Sequence, residues 1–204
     1  MQIVRCLNIL QEWKSVVNTS ASLLGIIANS EFLAGVILQV CTVRGVSHYS
    51  REVAPKAKCT FIVLETERWS GQAGTEEDCM VGDVNLFLTD MEDPTVGEIE
   101  VMIAEPSCRG RGFGKETTLI MMFYGVTKLG ITKFEAKVGQ ENEASICMFK
   151  KLNFKEVAMN RVFQEVTLRL DVNEQQKQWL LEQTNHVEEK NYSVLNLQTR
   201  ASET

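Results

Sequence analysis

Three glycines, two arginines, an aromatic residue and a lysine crowd into Cys108-Arg109-Gly110-Arg111-Gly112-Phe113-Gly114-Lys115. Residues of these types can hold an anion. The run before it, Glu98-Ile99-Glu100-Val101-Met102-Ile103, reads as a strand. After it, Leu119, Met122, Phe123 and Val126 recur at helical spacing. Unpaired N–H groups at a helix start carry about half a positive charge, and a phosphate fits there. Glycine lets the backbone come close to such a ligand and take φ > 0. Two familiar phosphate patterns fail. The G-x-x-x-x-G-K-[ST] loop would need glycine at Arg109 and a hydroxyl at Glu116. The G-x-G-x-x-G fingerprint would place its third glycine at Lys115. The pattern that does match is R-x-x-G-x-G, read as Arg109, Gly112 and Gly114.

A second group of candidates is the carboxylate pair Glu98 and Glu100. Two apart on one strand, they share a face. Proximity and burial would raise one of their pKa values into the range of a general base. On a wet face the same pair would bind an ammonium without taking its proton. Asn142 heads a helical run and can cap it, or offer its amide to a ligand. Six widely spaced cysteines with no C-x-x-C, and only two histidines, argue against a metal centre. Reduced cysteines of this kind fit a cytoplasmic protein. Cys108 and Cys147 have no histidine close in sequence, so an acyl-carrying thiol is not expected.

These groups need a frame to position them. Cys59–Leu64 and Met80–Leu88 are β-branched and aromatic runs, hence strands, joined through a polar loop over Ser70–Asp78. A turn over Asp90–Gly97 leads into the Glu98–Ile103 strand. The helix after the glycine loop runs from about Lys115 to Leu129 and stops at Gly130. Lys133–Val138 alternates as a strand, and Asn142–Leu152 is a helix ended by Asn153. Strands follow at about Lys155–Met159 and Val162–Leu170. Asn173, with Gln176 three residues on, caps a last helix reaching about Thr184. The polar end from Val187 to Thr204 is expected to fray.

The chain has 204 residues, 44% apolar and 24% charged, with a net charge of −6. Such a chain buries roughly 70% of its unfolded surface as one soluble unit. The acidic balance argues against nucleic acid as a partner. Residues 1–57 are atypical. Leu23–Val43 is apolar in patches but interrupted by Asn29, Glu31 and Gln39, which argues against a membrane span. A helix is placed on Ile9–Val17. The divisions expected are therefore 1–57, 58–172 and 173–204.

Strand, strand, strand, glycine loop, helix, strand, helix, strand, strand is an α+β layout. Its order resembles that of the GNAT superfamily of acyl-CoA N-acyltransferases. The R-x-x-G-x-G loop resembles that superfamily's pyrophosphate loop, and Asn142–Phe154 resembles its N-x-x-[SA]…Y-x-K-x-G-F segment. The resemblance implies a mixed, mostly antiparallel sheet with helices on both faces. It implies acetyl transfer from acetyl-CoA to an amine by direct attack. The subfamily it narrows to implies a protein acceptor, the N-terminus of tubulin.

Site roles follow by the same resemblance. Backbone groups of Arg109, Gly110, Arg111, Gly112, Phe113, Gly114 and Lys115 would cradle the pyrophosphate. Met102, Ile103 and Ala104 would pair with the pantetheine amides, and Asn142 and Phe149 would line the arm. Glu98 matches the place of a glutamate on that superfamily's strand, and with the residue reading above either Glu98 or Glu100 would be the base, directly or through water. Phe149 stands where many members carry a tyrosine, so water or Tyr124 would have to replace that acid. The first strand and two helices that wall the acceptor groove in the superfamily are not recognisable in residues 1–57, which would leave the Cys59–Leu64 strand at an open edge. A non-catalytic CoA-binding or partner-binding module is the competing reading.

Overall fold

Alternation of apolar and polar residues folds the chain around a twisted sheet. The computed structural model describes residues 24–28, 36–41, 58–65, 76–88 and 92–191. The strands are β1 (Leu24–Ala28), β2 (Val36–Cys41), β3 (Lys58–Glu65), β4 (Met80–Leu88), β5 (Val96–Ile103), β6 (Lys133–Gly139), β7 (Lys155–Asn160), β8 (Glu165–Asp171) and β9 (Val187–Asn191). The helices are α1 (Glu76–Cys79), α2 (Phe113–Lys128), α3 (Glu143–Lys151) and α4 (Glu174–Gln183). Among the described residues the strands form a nine-stranded sheet in the order β7-β8-β6-β5-β4-β3-β2-β1-β9. Every pairing is antiparallel except β5 with β6, which α2 connects as a crossover.

The local punctuation behaves as its residues dictate. Gly130 ends α2 at φ 71°, and Asn153 follows α3 at φ 68°. Asn142 Oδ1 accepts from the Ser145 N–H at 3.1 Å, and Asn173 Oδ1 from the Gln176 N–H at 2.8 Å. Helix α2 starts two residues earlier than expected, at Phe113. Strand β8 starts later, at Glu165, because residues 161–164 turn over the Asn160 side chain, which accepts from the Val162 and Phe163 N–H groups.

Two expectations are corrected. The segment before Cys59 contributes strands: β2 pairs with β3 from Val36↔Glu65 to Cys41↔Thr60, so β3 is an interior strand. The tail does not fray from Val187 onward, since β9 pairs with β1 from Ala28↔Val187 to Leu24↔Asn191. Backbone pairing decided both, overriding weak local signals. The end of the expected Ser70–Asp78 loop, from Glu76 on, joins Cys79 in the single turn of α1. The helix expected at Ile9–Val17 lies outside the described residues, as do 70–75, 90–91 and the tail beyond Asn191.

Each sheet face has its own character. Phe61, Val84, Leu86, Ile99, Phe134, Ala136 and Leu168 share one face and are buried. Helices α2, α3 and α4 add Leu119, Met122, Phe149 and Leu180 to this core. The opposite face carries Thr60, Asp83, Asn85, Glu98, Glu100, Glu135 and Arg169 in facing register. Among the described residues, only α1 reaches it, where Cys79 joins Ile62 and Leu64.

Candidate active site

Strands β5 and β6 start side by side and then part. Their pairs are Val96↔Lys133, Gly97↔Phe134 and Glu98↔Glu135, and among the described residues none follows, although β5 runs on to Ile103 and β6 to Gly139. The split leaves a gap in the sheet between two strand stretches. An extended ligand with amide groups can fill such a gap as an added strand. In an antiparallel ladder successive residues turn their backbone groups to alternate neighbours. The Ala104 N–H donates to Val81 O at 2.8 Å, which turns Ala104 toward β4 and Ile103 toward the gap.

The glycine loop closes the wide end of this gap. A short 3-10 turn, Pro106–Cys108, leads out of β5 under the Glu105 side chain, which accepts from the Ser107 N–H. Gly110 and Gly112 then take φ 73° and 98°, values that suit glycine and strain other residues. Gly112 is the N-cap of α2 and supplies no side chain to it. Among the described residues no backbone acceptor meets the N–H groups of Gly112, Phe113, Gly114 or Lys115. Four donors at the positive end of a 16-residue helix therefore face outward. Gly114 sits where three elements converge: a Cβ there would lie 3.3 Å from Met148 Sδ of α3 and 3.8 Å from Ile103 Cγ1 of β5.

The loop's arginines are turned to the protein. Arg109 donates from Nε to Ile103 O at 2.8 Å and from Nη2 to Ala104 O at 3.1 Å. Arg111 Nη1 lies 2.6 Å from Glu65 Oε1, and its guanidinium stands 5.3 Å over the Phe113 ring. Both arginines thus brace the loop, and the outward groups are the backbone donors and the exposed Lys115. Ala104 is committed on both backbone groups, to Val81 and to Arg109, so of the stretch Met102–Ala104 it is Ile103 whose N–H aims into the gap. Val101, in phase with Ile103, is a candidate that sequence reasoning missed.

Glu98 is the last residue of β5 paired to β6, and Glu100 lies just past the split on the same face. Lys137 Nζ is 2.7 Å from Glu98 Oε2, and this hydrogen bond pushes the Lys137 ammonium above its ordinary value. Glu100 is exposed and faces Asn85 across the β4 pairing. Asn85 belongs to a chain in which Thr60 Oγ1 donates to Asn85 Oδ1 at 2.7 Å and Asn85 Nδ2 to Asp83 Oδ2 at 2.6 Å. A polar floor therefore runs beside the split, with two carboxylates at its mouth.

Asn142 is exposed and caps α3, leaving its amide nitrogen to face outward or a ligand. Phe149 is buried, its ring edge-on to Phe154 at 5.0 Å between centroids, so it builds the wall of α3 and has no proton to give. Tyr124 packs edge-on to Phe61 at 5.1 Å in the core. Cys108 is buried and Cys147 exposed, and neither is in a disulfide. A further group went unread in the sequence. Glu116, in the first turn of α2, is almost fully buried with neither carboxylate oxygen in a hydrogen bond among the described residues. Burial pushes its carboxyl up to about 7. His186 Nε2 stands 3.9 Å from Glu116 Oε1.

The Acetyltransferase (GNAT) domain family matches residues 41–155. Alpha/beta-tubulin-N-acetyltransferase 9 of Homo sapiens is 71% identical over 136 residues, 66% of this chain and 66% of that protein. The Mus musculus protein of the same name is 69% identical, over 66% of this chain and 56% of its own length. An N-acetyltransferase 9-like protein of Nematostella vectensis is 53% identical over 57% of this chain and 59% of its own length. The chain thus spans about two thirds or less of the length of these relatives. The matched region holds β5, the split, the glycine loop and α3 entire, and the chain belongs to the GNAT acetyltransferase family.

Proposed function

We propose that this chain transfers an acetyl group from acetyl-CoA to a protein amine, and that the acceptor is the N-terminus of tubulin. The observation that carries the first half is the parting of β5 from β6 directly beside an uncapped helix N-terminus. A molecule with a pyrophosphate at the head of one amide-bearing arm fits that pair of features. Acetyl-CoA supplies the thioester. Gly112, Phe113, Gly114 and Lys115 would hold the pyrophosphate through their N–H groups, and Ile103 and Val101 would orient the arm through backbone groups on the gap side. Asn142 would reach the arm with its free amide nitrogen. Held this way, the reacting carbon is positioned without further cost at the moment of reaction.

Only a neutral amine attacks a thioester, so an ammonium must first give up a proton. Glu98 and Glu100 stand at the mouth of the split and would take it, directly or through one water. Glu98 is bonded to Lys137, and Glu100 is the more exposed of the two carboxylates. A gap-side backbone N–H of β5 would stabilise the oxyanion. With Phe149 in the wall, the departing thiolate would take its proton from water. The tubulin acceptor rests on the names of the two vertebrate relatives and on no feature of this chain. A cytoplasmic setting accompanies this reading, as do the reduced cysteines Cys59, Cys79, Cys108 and Cys147.

Phe149 favours a second reading, in which the chain binds CoA or a partner without turnover. Turnover with acetyl-CoA and a tubulin N-terminal peptide separates the two. Acetylated peptide formed at a rate proportional to the chain supports transfer. Acetyl-CoA binding with no product supports the module.

A further inference from the structure

The glycine loop is tied down from a distance, and one side chain makes two of the ties. Glu65 ends β3, and only 4% of its side chain is exposed. Its two carboxylate oxygens serve two different loop residues. Oε1 accepts from Arg111 Nη1 at 2.6 Å, across 46 residues of sequence. Oε2 accepts from the Cys108 thiol at 3.5 Å. Cys108 and Arg111 bracket Arg109 and Gly110, so the carboxylate grips the loop on both sides of its first left-handed glycine. Arg111 lies between Gly110 and Gly112, both at positive φ, where the backbone has most freedom to lose.

We infer that Glu65 is a positioning residue for the phosphate loop: through Arg111 and Cys108 it presets the outward N–H groups of Gly112–Lys115 for the pyrophosphate. This rests on the acetyl-CoA reading above and deepens it. The pairing also assigns Arg111 a bracing role in place of a phosphate contact. Its charge is matched by a buried carboxylate, and its guanidinium is stacked on Phe113. Arg109 does the same on the other side of the loop, through Ile103 and Ala104. Preorganised donors bind an anion more tightly than donors that must first be ordered.

The sign of the effect makes the inference testable. Acetyl-CoA affinity is measured by calorimetry for wild type, Glu65→Gln, Arg111→Gln and the double variant. Glu65→Gln is expected to weaken binding about tenfold, the scale of one charge-assisted hydrogen bond. The loss should appear in KM for acetyl-CoA more than in kcat, which a mere loss of fold stability would not produce. Arg111→Gln should weaken binding by a similar or smaller factor, since it leaves the Cys108 link, and the double variant should be no worse than Glu65→Gln, because the shared Arg111 link is already broken there. Tighter binding by Glu65→Gln, with a loss confined to Arg111→Gln, would make Arg111 a phosphate ligand and overturn the inference. If Glu65→Gln does not fold, the half-exposed Arg111→Gln decides alone: affinity unchanged within about twofold overturns the inference. Should wild type take no acetyl-CoA, the cofactor reading falls by itself. Trypsin cleavage after Arg109 and Arg111 then decides: faster cutting in Glu65→Gln supports the brace, and equal rates refute it.

Discussion

The two faces of the sheet are built from the same strands and serve opposite ends. One face carries Phe61, Leu86, Ile99 and Phe134 under three helices, and its polar groups are few. The other carries the Thr60–Asn85–Asp83 chain and the Glu98–Lys137 and Glu135–Arg169 pairs, and no long helix lies on it among the described residues. Alternation along β5 makes the contrast sharpest: Ile99, Val101 and Ile103 pack inward while Glu98, Glu100 and Met102 point the other way. The covered face fixes where β5 runs and where α2 begins. The polar face can then hold carboxylates beside the split without disturbing the core.

Substitutions on the two faces should therefore fail differently. Phe134→Ala, on the covered face, is expected to cost about 3–5 kcal/mol of stability, because a fully buried ring leaves a cavity under α2. Denaturant unfolding would measure it, and activity would be lost only in proportion to unfolding. Glu116 is the exception on that face and sharpens the rule. Its carboxyl titrates near 7 when folded against an ordinary value of 4.5. Below about pH 4.5 it is protonated folded or unfolded and has no effect. Between the two values the unfolded chain ionises and the folded chain does not, so stability falls as pH rises; above about 7 the full cost, on the order of 3 kcal/mol, is present. Glu116→Gln should flatten that slope and be more stable than wild type at pH 8. Parallel slopes for the two proteins would remove the claim that Glu116 ionises at a cost.

Polar-face substitutions should leave unfolding midpoints nearly unchanged. Glu100→Gln is expected to lower turnover about 10²-fold and shift its pH profile, with acetyl-CoA affinity held. Glu98→Gln tests whether the carboxylate bonded to Lys137 shares that role. Full rates for both variants across pH 6 to 9 would exclude either as base. The smallest effect belongs to Arg169→Gln. Its pair with Glu135 is partly exposed, so about 0–1 kcal/mol of stability and little turnover should be lost.

Legibility in the sequence followed the range of the interaction. Gly130, Asn142, Asn153 and Asn173 act within one turn of chain, and each could be read from its neighbours. The glycine loop and the Glu98–Glu100 spacing were legible for the same reason. Strand β9, Val-Glu-Glu-Lys-Asn, has little strand propensity of its own and exists by pairing with β1, far away in sequence. The split between β5 and β6 leaves no mark on either strand, since it is a property of their register. The side-chain partners of Arg109 and Arg111, a strand-end carbonyl pair and Glu65, were not legible, because Glu65 lies far away in sequence and the carbonyls carry no residue signal. Glu116 was visible only as a misfit to a phosphate pattern, and its burial depends on packing near His186.

The central claim is that the loop at the head of α2, beside the split, holds the pyrophosphate of acetyl-CoA. Gly112→Asp tests it most directly. Asp at φ 98° is strained and sets a negative charge before the outward N–H groups, yet open space surrounds the position, so the fold should survive. Calorimetry with acetyl-CoA on wild type and variant, with circular dichroism to confirm folding, is the measurement. Saturable binding by wild type and none by the folded variant is the expected result. Equal affinity in the two would contradict the account, leaving the loop a turn and the split an unfilled seam.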